Sequence, residues 1–320
     1  MGWSVGTNDA ANAFGTAVGT RVVSYRTATI LCAVFAVLGA ALSGRNVIDK
    51  LGSYAENNAV DTGAAAFIVM LAAACVVTLM TFLKFPVSTS QSLVGCIIGW
   101  GLSQGMSDWS KTGSFFSAWI ISPIATMFIS LALCKAVDRW AAKKIKGLAA
   151  YDMFIKAGFI VSGMFAAYSM GANNAANATG IYLHVGVFDG LADTLNGLLP
   201  FRVTVPLLAA LIGGLSIALG VLTFSKRVML TVGEGITKLS PLNGFLVVLS
   251  CSIVVYIFSL LGYTISTSQA VVGAVMGAGF SKGHRGMDFK VLGRIFVAWF
   301  GTPTIAGALC YGIGMLFFRG

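Results

Sequence analysis

The stretch Gly6 to Gly15 reads GTNDAANAFG, and it sets Asn8, Asp9 and Asn12 among small apolar residues. A related stretch, Gly171 to Gly180, reads GANNAANATG and sets Asn173, Asn174 and Asn177 in the same spacing. Buried amides and carboxylates are costly in an apolar medium unless a partner, a ligand or a water-lined cavity satisfies them. The surrounding glycines and alanines permit close helix approach and a backbone break, whose free N–H groups favour an anion and free carbonyls a cation. Two further segments carry hydroxyls and an amide: Ser88, Thr89, Ser90 and Gln91, then Ser266, Thr267, Ser268 and Gln269. Such donors can replace part of an anion's hydration shell. Asp9 is the one acid inside a motif copy, and with no basic neighbour in sequence it invites a metal cation, sodium being the natural one, or a proton.

Elements that position these residues must lie in a membrane. The chain has 320 residues, 57% hydrophobic and 10% charged, and a mean hydropathy of +0.86, outside the range of soluble domains. Apolar stretches fit to cross a hydrocarbon core recur at 27–43, 63–83, 115–137, 153–176, 203–223, 243–263 and 292–318, and the segments around them bring the embedded pieces to about ten. No cleavable signal peptide is recognisable, and the first segment is short for a full span, which leaves room for a turn or two ahead of Met1. The formal charge of +10 reads as positive-inside topology and contact with anionic lipid, not as nucleic-acid binding. Arg139, Lys143, Lys144 and Lys146 mark one cytoplasmic connection; Lys282, Arg285, Lys290 and Arg294 mark a second candidate. The six cysteines, Cys32, Cys75, Cys96, Cys134, Cys251 and Cys310, stand singly, and His184 and His284 have no neighbouring cluster, so no metal site or redox motif is expected. The remaining acids fall near expected ends and loops; Glu56 and Asp49 are the ones to test.

The motifs are halves of a duplication. The first pair matches at seven of ten positions; the second, Pro86–Gly101 against Thr264–Gly279, at eight of sixteen. Ala118, Trp119 and Pro123 recur as Ala298, Trp299 and Pro303. The offsets of 165, 178 and 180 residues place an insertion in the second half, at Val187–Pro200, read as a surface loop or interfacial helix. The halves run from 1 to 145 and from 146 to 320. Pro86 and the glycines after each STSQ argue for short, bent re-entrant hairpins. A substrate between the halves near the midplane is the usual arrangement of such repeats; whether they are parallel or inverted is not decided by periodicity. A homodimer is expected on symmetry grounds. No nucleophile, metal cluster or phosphate loop supports an enzyme.

GTNDAANAFGTAVGT, GANNAANATG, PVSTSQ, TISTSQ and TVGEGITKLSPLNGF together resemble the inorganic phosphate transporter family of sodium- or proton-coupled permeases, over nearly the whole chain. The resemblance implies an all-α polytopic protein of the plasma or inner membrane, built of two inverted repeats with broken helices and re-entrant hairpins. It implies one phosphate and coupling sodium ions where the halves meet. Carried over by motif position, Asn12, Ser88, Thr89, Ser90, Asn177, Ser266, Thr267 and Ser268 would bind the anion. Asn8, Asp9, Asn173, Asn174, Gln91 and Gln269 would serve the cation, with sodium on Asp9, Asn8 and Asn173. Gln91 and Gln269 stand where many relatives have histidine, which favours sodium over proton coupling. Asn174 stands where the family usually has aspartate, which removes a fixed charge and keeps sulfate as the second substrate candidate. An uncoupled anion channel is the other alternative.

Overall fold

The computed structural model describes residues 1–82, 87–236, 240–282 and 289–317. Pro86, His284, Arg285 and Asp288 lie outside the described residues, as do the side chains of Glu234, Lys290 and Arg294. The described residues form α-helices joined by short links, with no strand among them. In the first half these are α1 (Gly2–Gly19), α2 (Tyr25–Ser43), α3 (Arg45–Glu56), α4 (Gly63–Phe82), α5 (Thr89–Ser103) and α6 (Trp109–Lys144). In the second they are α7 (Leu148–Thr179), α8 (Asp189–Leu198), α9 (Val205–Ile236), α10 (Pro241–Leu260), α11 (Thr267–Ser281) and α12 (Phe289–Phe317), with a 3₁₀ turn at Gly180–Tyr182. Six of the described helices, α2, α4, α6, α7, α9 and α10, are long and apolar enough to cross a membrane. The seventh expected stretch coincides with α12. The inserted segment forms α8, of which Ala192 alone is buried.

The helices invert the soluble pattern of bulky residues inside. On α2, Ile30, Val34, Leu38 and Leu42 form an exposed row four residues apart, while Ala28, Cys32, Ala36 and Ala40 line the buried side. Large aliphatics therefore meet lipid and small residues meet helices, because packing without a hydrophobic drive rewards close backbone approach. Four glycines show how close. A Cβ on Gly6 of α1 would stand 1.9 Å from the Ile217 carbonyl oxygen of α9, and one on Gly171 of α7 would stand 1.9 Å from that of Ala36 in α2. On Gly95 of α5 it would lie 2.4 Å from the Pro303 oxygen of α12, and on Gly273 of α11 it would lie 2.1 Å from that of Pro123 in α6.

These contacts are reciprocal: α1 packs on α9 as α7 packs on α2, and α5 packs on α12 as α11 packs on α6. Each half lends its STSQ helix to the other half's long C-terminal helix. The four motif copies are thereby drawn to one place.

The motif helices differ from one expectation. The helix runs unbroken through GTNDAANAFG, and in the second copy it stops only at Thr179. The interruptions come instead ahead of the STSQ segments, where Ser88 and Ser266 are extended. Each serine then caps its helix, accepting from the backbone N–H of Gln91 or Gln269 at 3.3 Å. At fifteen residues each, α5 and α11 measure about 22 Å, short of a hydrocarbon core.

Candidate functional site

The site is a buried hydrogen-bond network in which every motif copy takes part. Asp9 is 4% exposed. Its Oδ2 accepts from Thr267 Oγ1 at 3.0 Å and from Asn174 Nδ2 at 3.0 Å, and its Oδ1 accepts from Asn8 Nδ2 at 3.4 Å. Asn12 donates to Thr267 Oγ1 at 3.2 Å. On the other side, Asn177 Nδ2 donates to the Asn174 Oδ1 and to Ser90 Oγ, both at 2.9 Å. Ser90 is also 2.7 Å from Thr264 Oγ1, which donates to Asn177 Oδ1 at 2.9 Å. A chain of side chains thus runs from Asn12 through Thr267, Asp9, Asn174 and Asn177 to Ser90 and Thr264. Four helices supply it, α1, α5, α7 and α11, and the motif spacings 8/9/12 and 173/174/177 each return to one side of a helix.

Asn173 lies beside this chain and has another task. Its amide donates to Ser259 Oγ and to the Tyr263 carbonyl, both at 3.1 Å, and accepts from the Ile265 N–H at 3.3 Å. It fastens the link between α10 and α11, so Thr264 and Thr267 are presented at fixed positions. Ser266 and Ser268 pair with each other at 3.0 Å; Ser88 and Thr89 are buried at the start of α5. Gln91 and Gln269 turn away from Asp9: both line a largely apolar cavity of about 160 Å³ with Trp119, Ile120, Pro123 and Phe300.

Thr264 and Ser259 belong to the arrangement although only the motif residues proper were expected there. The signal for Thr264 lay in the repeat itself: it corresponds to Pro86 of the first copy, so the two copies differ in chemistry at that position. Nothing local marks Ser259, which sits in an ordinary apolar helix.

A cavity of about 20 Å³ adjoins the carboxylate, lined by Asp9, Asn12, Ser169, Ser252 and Thr267 among apolar neighbours. That is room for a sphere the size of a water or a small ion, and a tetrahedral oxyanion, with five heavy atoms, needs several times more. The oxygens around it comprise one carboxylate with neutral amide and hydroxyl groups, a donor set for a hard cation. No cluster of three or more His, Cys, Asp or Glu occurs among the described residues. Among the described residues no lysine or arginine pairs with Asp9.

Comparison with known proteins places the chain among transporters. The model of the "Phosphate transporter family" matches residues 5–310. A Pyrococcus furiosus protein named "Putative phosphate permease" is 28% identical, with 97% of this chain and 92% of that protein covered. A namesake from Methanocaldococcus jannaschii is also 28% identical, over 94% and 89%. The solved structure titled "The sodium-dependent phosphate transporter" superposes with a TM-score of 0.77 at 25% identity, covering 99% of this chain and 96% of that one. These are transporters and not enzymes, and the six spanning helices make this a multi-pass membrane protein. A match to the family model over nearly its full length shows that the chain belongs to the phosphate transporter family.

Proposed function

We propose that the protein is a secondary active transporter that imports inorganic phosphate by sodium symport. The observation that carries this reading is Asp9: a buried carboxylate, held by neutral donors from α7 and α11, without a basic partner among the described residues. A buried charge so placed is penalised until a cation neutralises it, and sodium suits the oxygen donors beside it. The hydroxyls and amides of Asn12, Ser90, Asn177 and Thr267, at present bonded to one another, are the groups that would turn to an oxyanion. Sodium neutralises the Asp9 carboxylate, whereas phosphate arriving without sodium would add a second negative charge beside the bare carboxylate, so the anion is admitted with the cation. Coupling follows from that difference.

The two halves, residues 1–145 and 146–320, act in this reading as inverted repeats that move against each other to expose the network alternately. The reciprocal packing of α1 on α9 and α7 on α2 supports it. Room for phosphate must come from that motion, since the cavity at Asp9 is ion-sized.

Sulfate is the second reading, and Asn174 favours it. Phosphate near neutral pH carries a proton that a carboxylate can accept, and here Asp9 stands without the second carboxylate. Uptake of radiolabelled phosphate into proteoliposomes under an inward sodium gradient tests both, with sulfate as competitor and Asp9→Asn as control. Sodium-driven uptake that resists sulfate and is lost in the variant is expected. Flux indifferent to the gradient means a channel, and inhibition by sulfate equal to that by phosphate moves the substrate to sulfate.

A further inference from the structure

The network leaves one polar pocket unused. Asn46, Asp49, Lys50 and Ser53 of α3, Lys111 of α6 and the link Leu260–Gly262 enclose an open pocket of about 380 Å³. Its wall is a latch. Asn46 Nδ2 donates to the Leu260 carbonyl at 2.8 Å, and Lys50 Nζ donates to that of Leu261 at 3.3 Å. The same ammonium lies 3.2 Å from the centroid of the Tyr263 ring. Gly262, at φ +80°, lets the link turn down onto α3: a Cβ there would be 2.9 Å from the Asn46 carbonyl oxygen.

The cations at and beside this pocket are not equivalent. Arg45 pairs with Asp49 at 3.4 Å and Lys111 with Asp108 at 3.8 Å. Lys50 has no carboxylate partner among the described residues; it holds a neutral carbonyl and an aromatic face. A charge-assisted bond to an anion is stronger than either. The link that Lys50 holds continues directly into the network, through the Tyr263 carbonyl and Ile265 N–H on Asn173 and through Thr264 on Ser90 and Asn177.

We propose that this pocket is an outer docking site for the tetrahedral oxyanion, and that Lys50, in turning to the anion, releases the 260–265 link and opens the way to Asp9. The identity of the anion as transported substrate rests on the reading above; the docking does not. Arrival of substrate and opening of the site are then one event, because the group that attracts the anion is the group that keeps the link shut.

Two readouts test this on the full-length protein, with inorganic phosphate as the probe. In detergent, phosphate should speed amide hydrogen exchange across Leu260–Ile265 in the wild type and in Asp9→Asn, and should not do so in Lys50→Gln. Lys50→Gln, which removes both contacts, and Tyr263→Leu, which removes one, should each exchange faster there than the wild type without phosphate. In proteoliposomes, Lys50→Gln should raise the KM for phosphate by about tenfold at low ionic strength, and added choline chloride should shrink the difference. An exchange response identical in Lys50→Gln and wild type, or an unchanged KM at low ionic strength, overturns the proposal. A Lys50-dependent exchange response without phosphate uptake keeps the docking site and removes the transport reading. Uptake without any exchange response does the reverse.

Discussion

Replacing Asn174 by aspartate would set a second carboxylate directly against Asp9. In the wild type the Asn174 amide gives its N–H to Asp9 Oδ2 at 3.0 Å and its oxygen to Asn177. The variant exchanges that donor for an acceptor at the same place. Two unit charges 3.0 Å apart repel by about 5 kcal/mol at an effective dielectric constant of about 20. Relaxation and water entry will relieve part of this, and a bound cation relieves most of the rest. If a tenth to a third of that repulsion is recovered on binding sodium, apparent sodium affinity rises by roughly two- to twentyfold. The thermal midpoint of the purified protein titrated with sodium, at constant ionic strength, reports this directly, because a ligand bound by the native state alone raises stability with the logarithm of its concentration. Dual-label flux of sodium and phosphate gives the stoichiometry in parallel, and an additional sodium per phosphate is the expected result in Asn174→Asp. Identical sodium titrations together with identical stoichiometry would show that position 174 does not face the coupling ion, and would refute the reasoning.

Three further substitutions test the architecture. Gly273→Ala forces a Cβ to within 2.1 Å of the Pro123 oxygen and should cost about 1–3 kcal/mol by prising α11 from α6, whereas Gly113→Ala, with nothing within 4 Å, should be neutral or gain about 1 kcal/mol from helix propensity; thermal unfolding in detergent separates the two. Ser90→Ala removes a shared partner of Asn177 and Thr264 and should lower stability by about 1–3 kcal/mol through the buried groups left unpaired. Its phosphate uptake should fall more than that loss of folded protein accounts for, which uptake normalised to reconstituted folded protein would show.

The comparison of motifs with coordinates is instructive at particular residues. Asn8, Asp9, Asn12, Asn174, Asn177, Ser90 and Thr267 were all expected at the site, and the structure joins all seven in one network. Asn173 was expected as a cation ligand, and its amide is engaged instead with Ser259, Tyr263 and Ile265. Gln91 and Gln269 share the motif but face a different cavity, because Gln269 points about 200° from Thr267 two residues earlier and Gln91 about 100° from the adjacent Ser90. Asn46 and Lys50, which form the latch, were not among the residues the sequence singled out.

By itself the sequence determined that this is a polytopic helical membrane protein, that its polar motifs occur in two copies, and which polar residues in each copy are too costly to bury without purpose. Composition and self-similarity are additive along the chain, so they survive without coordinates. What only the tertiary structure decided is which copy meets which. Asp9 finds Asn174 across 165 residues and Thr267 across 258, and α5 and α11 each cross to the other half's long helix. Those meetings depend on the register of glycine against carbonyl between helices, a contact between distant segments that leaves no trace in the periodicity of either.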